Sequence, residues 1–133
     1  MIENRFISII IIMIFAAVIL AGCEAASPAG YNARIDQEHA MEIMVGNEHA
    51  VILDVRTSQE FNAGHIPNAI SLPVDEIQDA AALMLPDKDE VILVYCQSGA
   101  RSAKAAVMLV DMGYRNVFNF GGIMDWTGEI KIP

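Results

Sequence analysis

The stretch at residues 94–102, VYCQSGARS, carries the residue types in this chain that are best suited to covalent chemistry. Cys96 follows an apolar run, and four residues separate it from Arg101. A short loop between a strand and a helix can turn several backbone N–H groups inward, and the helix adds the positive end of its dipole. A thiol inside such a ring is expected to have a pKa below about 8.5, the value of a free cysteine. The pattern therefore predicts a catalytic thiolate at Cys96, with an inert buried residue at the end of a strand as the alternative.

The loop that follows Cys96 has the composition of a tight anion-binding ring. It consists of Gln97, Ser98, Gly99, Ala100 and Arg101. Gly99 allows a backbone conformation that other residues rarely adopt, and its small neighbours keep the entrance open. Arg101 adds a permanent positive charge, which either faces a bound anion or pairs with a carboxylate that holds the loop. The pairing role is favoured, with Glu60 as the candidate partner.

Acidic residues outnumber basic ones in this chain. The sequence has 17 Asp and Glu against 8 Lys and Arg, which gives a formal net charge of −9 at pH 7. A surface of this sign argues against nucleic acid as a partner and against charge-driven docking on anionic lipid. It also makes arginines close to Cys96 informative, because the background is negative.

The amino terminus predicts a membrane-anchored protein. Residues 6–20 are almost wholly apolar and lead into Leu20-Ala21-Gly22-Cys23, which resembles the lipobox of bacterial lipoproteins. The resemblance implies a signal peptide at residues 1–22, a lipidated Cys23 and a short tether over residues 23–31. An uncleaved transmembrane anchor is the alternative, since the apolar span is near the short limit of roughly 17–25 residues for a membrane-spanning helix. Either interpretation places the folded domain outside the cytoplasm, at a cell surface or in a periplasm.

Cys96 has no partner within the chain if Cys23 is lipidated. The sequence contains 2 cysteines, so it predicts neither a disulfide framework nor a cysteine-rich metal site. The motifs imply no metal and no cofactor.

Residues 32–133 alternate between apolar runs and amphipathic segments, as expected for a single domain of strands and helices. Strands are predicted at 50–53, 69–72, 91–95 and 117–120, helices at 36–45, 75–83 and 103–112, and short helical turns at 59–61 and 124–126. Asp36 and Ser58 are candidate N-caps, and Gly113 is a candidate C-terminal stop.

The predicted fold class is α/β, an open, mostly parallel sheet of about five strands with helices on both faces. The run at 91–95 supports this class, because it lacks polar alternation and is typical of a strand covered on both faces. In such sheets, binding sites form at the carboxyl ends of the strands, and Cys96 lies at such an end.

Four motifs in this order resemble those of the single-domain rhodaneses, a sulfurtransferase family whose active loop has four residues between cysteine and arginine. The motifs are Asp54-Val55-Arg56 with Glu60-Phe61, Gly64-His65-Ile66-Pro67-Asn68-Ala69 with Leu72-Pro73, the Cys96 loop, and Gly121-Gly122-Ile123 with Trp126. The resemblance covers roughly residues 32–128. Related phosphatases and arsenate reductases hold five residues in the loop, which accommodates a tetrahedral oxyanion, whereas four residues suit the single outer sulfur of a persulfide.

The resemblance implies a rhodanese fold and a two-step sulfur transfer. Cys96 takes sulfane sulfur from a donor such as thiosulfate or a polysulfide, and the persulfide passes its outer sulfur to cyanide, a small thiol or a protein thiol. No cofactor takes part. The alternative is a non-catalytic rhodanese-like module that carries sulfur, or binds a partner, at the membrane surface.

Three further residues are assigned supporting roles. Asp54 is expected to hydrogen-bond the loop backbone at the end of its strand. Arg56 either attracts anionic donors or forms a surface ion pair. His65 is expected to hydrogen-bond a turn, with general-base catalysis as the alternative.

Overall fold

The computed structural model of the protein describes residues 31–133. The predicted signal peptide at 1–22, the lipidation of Cys23 and the tether up to residue 30 lie outside the described residues. Tyr31 already belongs to the first strand, so the described domain begins one residue before the predicted boundary.

Strands and helices alternate along the described residues. The strands are β1 (Tyr31–Arg34), β2 (Val51–Asp54), β3 (Ile70–Ser71), β4 (Val91–Cys96) and β5 (Asn116–Gly122). The helices are α1 (Gln37–Gly46), α2 (Ser58–Ala63), α3 (Ile77–Met84) and α4 (Ala100–Asp111). Short 3₁₀ turns precede α3 at Val74–Glu76 and follow β5 at Ile123–Asp125.

The five strands form one sheet in the order β1-β5-β4-β2-β3, and every neighbouring pair is parallel. The predicted α/β class with an open parallel sheet is therefore confirmed. Because all strands run in the same direction, their carboxyl ends meet at one edge of the sheet.

Alternate side chains of the central strand β4 enter two apolar clusters. Ile92, Val94 and Cys96 belong to a cluster that includes the buried apolar residues of α3 and α4. Leu93 and Tyr95 belong to a second cluster, to which α1 contributes. Since successive side chains of a strand point to opposite faces, the sheet has helices on both sides, as predicted from the unbroken apolar run.

β1 is a strand that the sequence does not predict. Its four residues, YNAR, contain no apolar run. Its pairing with β5 places Arg34 opposite Asn119, and the N–H of Ile35 donates to the Asn119 carbonyl at 3.0 Å. This strand exists because β5 offers it a partner, which local sequence does not reveal.

Two helix starts differ from the prediction. The helix after the Cys96 loop begins at Ala100, three residues earlier than predicted, because Gly99 caps it with a left-handed backbone (φ +107°). The cap of α2 is Thr57 and not Ser58: the Thr57 side chain accepts from the N–H of Glu60, and the Glu60 carboxylate accepts from the N–H of Thr57.

The cap predicted at Asp36 is confirmed, since its carboxylate accepts from the N–H of His39 at 2.8 Å. Gly113 has φ +94° and follows Met112, the C-cap of α4, as expected of a helix-ending glycine. Within residues 31–133, none of the helices has the length and apolar character needed to cross a bilayer.

Candidate active site

Cys96 is the last residue of β4 and lies at the carboxyl edge of the sheet. Its side chain is buried, with 1 % of its surface exposed. The N–H of Gly99 donates to Sγ at 3.0 Å, so the loop after the strand turns its backbone toward the sulfur. This N–H is one member of the ring of N–H groups that the sequence predicts around the thiol.

The loop passes directly over β5 at Gly122. A Cβ on Gly122 would collide with the carbonyl group of Gln97 and would lie 2.7 Å from the Cα of Ser98. Only a glycine allows this close approach. The loop is held there by the N–H of Met124, which donates to the Gln97 carbonyl at 3.2 Å. The second glycine of the carboxyl-terminal motif therefore shapes the active loop.

The surroundings of Cys96 favour the thiolate. Burial by itself raises the pKa of the thiol, but hydrogen bonds from the Ser102 hydroxyl and from the N–H groups of Ser102, Gly99 and Ser98 outweigh it. The pKa of Cys96 therefore lies below its ordinary value, in the direction that the sequence predicts. The thiolate is the nucleophilic form of cysteine, and a lowered pKa increases the fraction of Cys96 that is ionised at neutral pH.

Ser102 and Asn119 form a buried polar pair beside the sulfur. Ser102 Oγ lies 3.5 Å from Cys96 Sγ and donates to Asn119 Oδ1 at 2.8 Å. Asn119 Oδ1 also accepts from the N–H of Gly121 at 3.0 Å, which fixes the amide. A hydroxyl has one proton, so it serves either Asn119 or a thiolate, and a neutral thiol can instead donate to Oγ.

Neither Ser102 nor Asn119 was assigned a role from the sequence. A signal exists for each: Ser102 is a polar residue on the face of α4 that enters the core, and Asn119 interrupts an apolar strand. Buried polar side chains are retained where they have a partner, and here the partners include the reactive sulfur.

Arg101 forms the ion pair with Glu60 that the sequence predicts. Its Nη1 and Nη2 atoms lie 2.7 and 2.9 Å from the two carboxylate oxygens. The Arg101 hydrogen bond is the main reason why the pKa of Glu60 falls to about 2. Because this carboxylate also caps α2, the pair fastens the Cys96 loop to a neighbouring helix. Arg101 thus has the anchoring contact that was favoured over direct anion binding.

Arg56 is not at the surface, and the prediction of a surface ion pair or an exposed anion attractor is wrong. Its side chain and that of Asp54 are 5 % and 0 % exposed. Arg56 Nη2 donates to Asp54 Oδ2 at 2.6 Å and to the Gly64 carbonyl at 2.7 Å, and the guanidinium lies 5.7 Å from the centre of the Tyr95 ring. A buried charge needs such a partner, so Arg56 holds the segment between β2 and β3 in place.

Asp54 and His65 have the structural contacts that were expected. Asp54 Oδ1 accepts from the N–H of Arg56 at 2.9 Å. His65 Nδ1 lies 2.9 Å from the Phe61 carbonyl, and its ring stacks on the Phe61 ring at 3.7 Å between centroids. Across the part of the chain that the structure describes, no contact joins His65 to Cys96, so the general-base alternative has no support from the geometry.

Side chains that ligate metals are not clustered in the described domain. Among residues 31–133, no three His, Cys, Asp or Glu side chains are grouped so that they could hold a metal ion.

The fold and the loop place this chain in a known family. The family model of the rhodanese-like domain matches residues 36–129. The chain therefore belongs to the rhodanese-like domain family.

Two relatives that are named as sulfurtransferases match this chain over most of their own length. The chain is 37 % identical over 73 residues to thiosulfate sulfurtransferase PspE of Escherichia coli, covering 55 % of this chain and 70 % of that protein. It is 37 % identical over 94 residues to a sulfurtransferase of Allochromatium vinosum, covering 70 % of this chain and 86 % of that protein. The solved structure of a rhodanese with anions from E. coli superposes with a TM-score of 0.60 at 32 % identity, over 63 % of this chain and 99 % of that one.

Other relatives are longer proteins with a different name. A tRNA uridine(34) hydroxylase of Erwinia tasmaniensis is 35 % identical over 93 residues, but the match covers 66 % of this chain and 27 % of the hydroxylase. The likeness is thus confined to about a quarter of that protein.

Proposed function

We propose that this protein is a rhodanese-type sulfurtransferase that carries sulfane sulfur as a persulfide on Cys96. The observation that carries the proposal is the position of Cys96 Sγ, buried at the end of β4 and bonded to the N–H of Gly99 in a loop of four residues before Arg101. The relatives named sulfurtransferase support the same reaction class.

The first step is nucleophilic attack on the outer sulfur of a donor such as thiosulfate. A new S–S bond forms between Cys96 and that sulfur, the donor's own S–S bond breaks, and sulfite leaves with the electron pair. The negative outer sulfur of the persulfide then lies among the N–H groups of the loop, which stabilise it as they stabilise the thiolate.

The second step returns the enzyme to its starting state. An acceptor nucleophile, such as cyanide or a thiol, attacks the outer sulfur, and the electron pair of the broken S–S bond returns to Cys96 as the thiolate. The sequence contains 2 cysteines. With Cys23 assigned to a lipid anchor, no thiol of the same chain remains to resolve the persulfide, so the acceptor is external and ping-pong kinetics are expected.

The location is part of the proposal. A lipid on Cys23 would hold the domain on the outer side of a membrane through residues 24–30, a short segment that includes Ser27, Pro28 and Gly30. Donors and acceptors would then be those available outside the cytoplasm.

The function is tested by mixing the purified protein with thiosulfate and cyanide and measuring thiocyanate. We expect turnover in the wild type and none in Cys96→Ser, because the serine hydroxyl forms no persulfide. Cys23→Ser serves as the matched control and should retain turnover, since that cysteine lies outside the domain.

Two other outcomes would contradict the assignment as a sulfurtransferase. A gain of one sulfur atom on Cys96 by mass spectrometry without turnover would identify a sulfur carrier. Hydrolysis of an aryl phosphate that is lost in Cys96→Ser would identify a phosphatase.

A further inference from the structure

Arg34 lies against the active loop although it is 62 residues before Cys96 in the chain. It is the last residue of β1, at the carboxyl edge of the sheet. A Cβ on Gly99 would lie 3.5 Å from Arg34 Nη1, and a Cβ on Gly121 would lie 3.5 Å from Arg34 Nη2. The guanidinium therefore spans the backbone of two glycines, and the N–H of Gly99 is the group that contacts the Cys96 sulfur.

The Arg34 guanidinium has no protein partner within residues 31–133. The other three arginines there each pair with a carboxylate: Arg56 with Asp54, Arg101 with Glu60 and Arg115 with Asp89. Arg34 is exposed, and it places an unpaired positive charge beside the loop of Cys96 in a chain of net charge −9. A planar guanidinium with free donors is suited to bidentate binding of an oxyanion.

A cavity of about 380 Å³ opens beside this guanidinium. Its walls include Arg34, Asp36, Gln37, Gly121 and Asp125. The Asp36 carboxylate is already bonded to the N–H of His39, and the Gln37 amide donates to the Gly122 carbonyl at 3.0 Å. Asp36 and Asp125 contribute negative charge to the same walls, so Arg34 is the one cationic group in the lining of this cavity that an anion can bind.

We propose that Arg34 binds the oxyanion group of a small anionic sulfur donor and thereby selects donors such as thiosulfate or an organic thiosulfonate. This inference rests on the proposed function. With the oxyanion group on Arg34, the terminal sulfur of the donor faces the Cys96 loop, and Arg34 stays paired with the sulfite or sulfinate that leaves when the S–S bond breaks. The same contact offsets the repulsion between a dianion and an acidic protein.

The test compares Arg34→Gln with Arg115→Gln. Arg115 is an exposed arginine directly before β5, at the amino-terminal ends of the strands and not at the carboxyl edge. We expect Arg34→Gln to lower kcat/KM for thiosulfate about fivefold, mainly through KM, as the loss of one partly exposed charge contact would. Arg34→Lys should retain part of the effect because it keeps the charge. Added salt should lower kcat/KM of the wild type more steeply than that of Arg34→Gln.

A second measurement does not depend on turnover. In the Cys23→Ser background, Cys96 is alkylated with iodoacetate or with iodoacetamide, which are similar in size but differ in charge. We expect Arg34→Gln to lower the ratio of the iodoacetate rate to the iodoacetamide rate about fivefold and to leave the iodoacetamide rate unchanged. Arg115→Gln should leave the ratio unchanged.

The outcomes separate the two proposals. If the wild type turns over thiosulfate and Arg34→Gln matches Arg115→Gln in both measurements, Arg34 has no donor-binding role and the sulfurtransferase assignment stands. If the wild type forms no thiocyanate, the proposed function fails, and the alkylation ratio alone decides whether Arg34 attracts anions to Cys96.

Discussion

At the scale of single residues, the proposed chemistry depends on the hydrogen-bond donors that surround the sulfur atom of Cys96. Burial of Cys96 disfavours the thiolate, whereas the N–H of Gly99 and the hydroxyl of Ser102 favour it. The effect of the hydrogen bonds is larger, so the pKa of Cys96 is lowered. Hydrogen bonds to charged groups contribute roughly 1.5–3 kcal/mol, which is enough to reverse a moderate burial penalty. The reactive form of the thiol is therefore set by its immediate neighbours.

Replacement of Ser102 by alanine should raise the pKa of the Cys96 thiol. When Cys96 is ionised, the Ser102 hydroxyl can donate to the sulfur in place of Asn119. Its loss should therefore slow alkylation by iodoacetamide at pH 6 by about tenfold, as expected for a hydrogen bond of about 1.5 kcal/mol to a charged group. The measurement is the alkylation rate as a function of pH in the Cys23→Ser background, where Cys96 is the single thiol.

Ser71→Ala is the matched control for this variant. The hydroxyl of Ser71 is buried and has no hydrogen-bond partner among the described residues, so its removal should leave the alkylation profile unchanged. Identical profiles for Ser102→Ala and the wild type would contradict a role of Ser102 at the sulfur.

At the scale of the elements, the active loop is held by contacts to parts of the chain distant in sequence. The ion pair between Arg101 and Glu60 joins the first turn of α4 to α2, and Gly122 of β5 lets the loop approach the sheet. These contacts position the N–H groups before any donor arrives, as electrostatic stabilisation requires.

Glu60→Gln should destabilise the protein at neutral pH but not in acid. The pKa of Glu60 falls from its ordinary value of 4.5 to about 2 in the folded protein, so the ionised carboxylate stabilises the folded state above pH 4.5. This contribution is lost as the pH falls toward 2. Both side chains of the pair are about one third exposed, so after allowance for solvent screening we expect a loss of about 1 kcal/mol at pH 7.

Urea unfolding at pH 7 and at pH 3 measures this difference. The free energies of unfolding of Glu60→Gln and the wild type should be closer at pH 3 than at pH 7. Glu42→Gln removes an exposed glutamate of α1 and should change neither value. A loss in Glu60→Gln that is equal at both pH values would show that the ionised carboxylate is not the cause.

At the scale of the whole molecule, a compact acidic domain is joined to an apolar amino-terminal segment. Acidic residues outnumber basic ones in the domain, as they do in the whole chain of net charge −9, so the domain has no electrostatic attraction to anionic lipid. The proposed attachment to a membrane therefore relies on residues before the domain, where a lipid on Cys23 would supply it.

Cys23→Ser should abolish lipid attachment and processing. We expect the wild type to incorporate labelled palmitate in bacterial cells and to lack residues 1–22 by mass spectrometry, while Cys23→Ser remains unlabelled and full-length. Cys96→Ser is the matched control and should be labelled as the wild type is. A full-length, unlabelled wild type would favour the uncleaved anchor instead.

The sequence by itself determined the order of most elements and predicted which thiol reacts. Apolar runs and helical periodicity depend on neighbouring residues, so β2, β4, β5 and the main helices were predicted, and the Cys96 loop was recognised by its spacing. The partner of Arg101 was also predicted, because Glu60 belongs to a motif that the sequence displays.

Only the tertiary structure decided which distant residues meet at the sulfur. β1 has no apolar pattern and forms through pairing with β5, and that pairing brings Arg34 against Gly99. The burial of Arg56 was likewise decided by packing, since an arginine that ends a strand can face solvent or a buried carboxylate. Local patterns determine local conformation, but parallel crossovers join segments far apart in the chain, so the surroundings of Cys96 follow from how the elements pack.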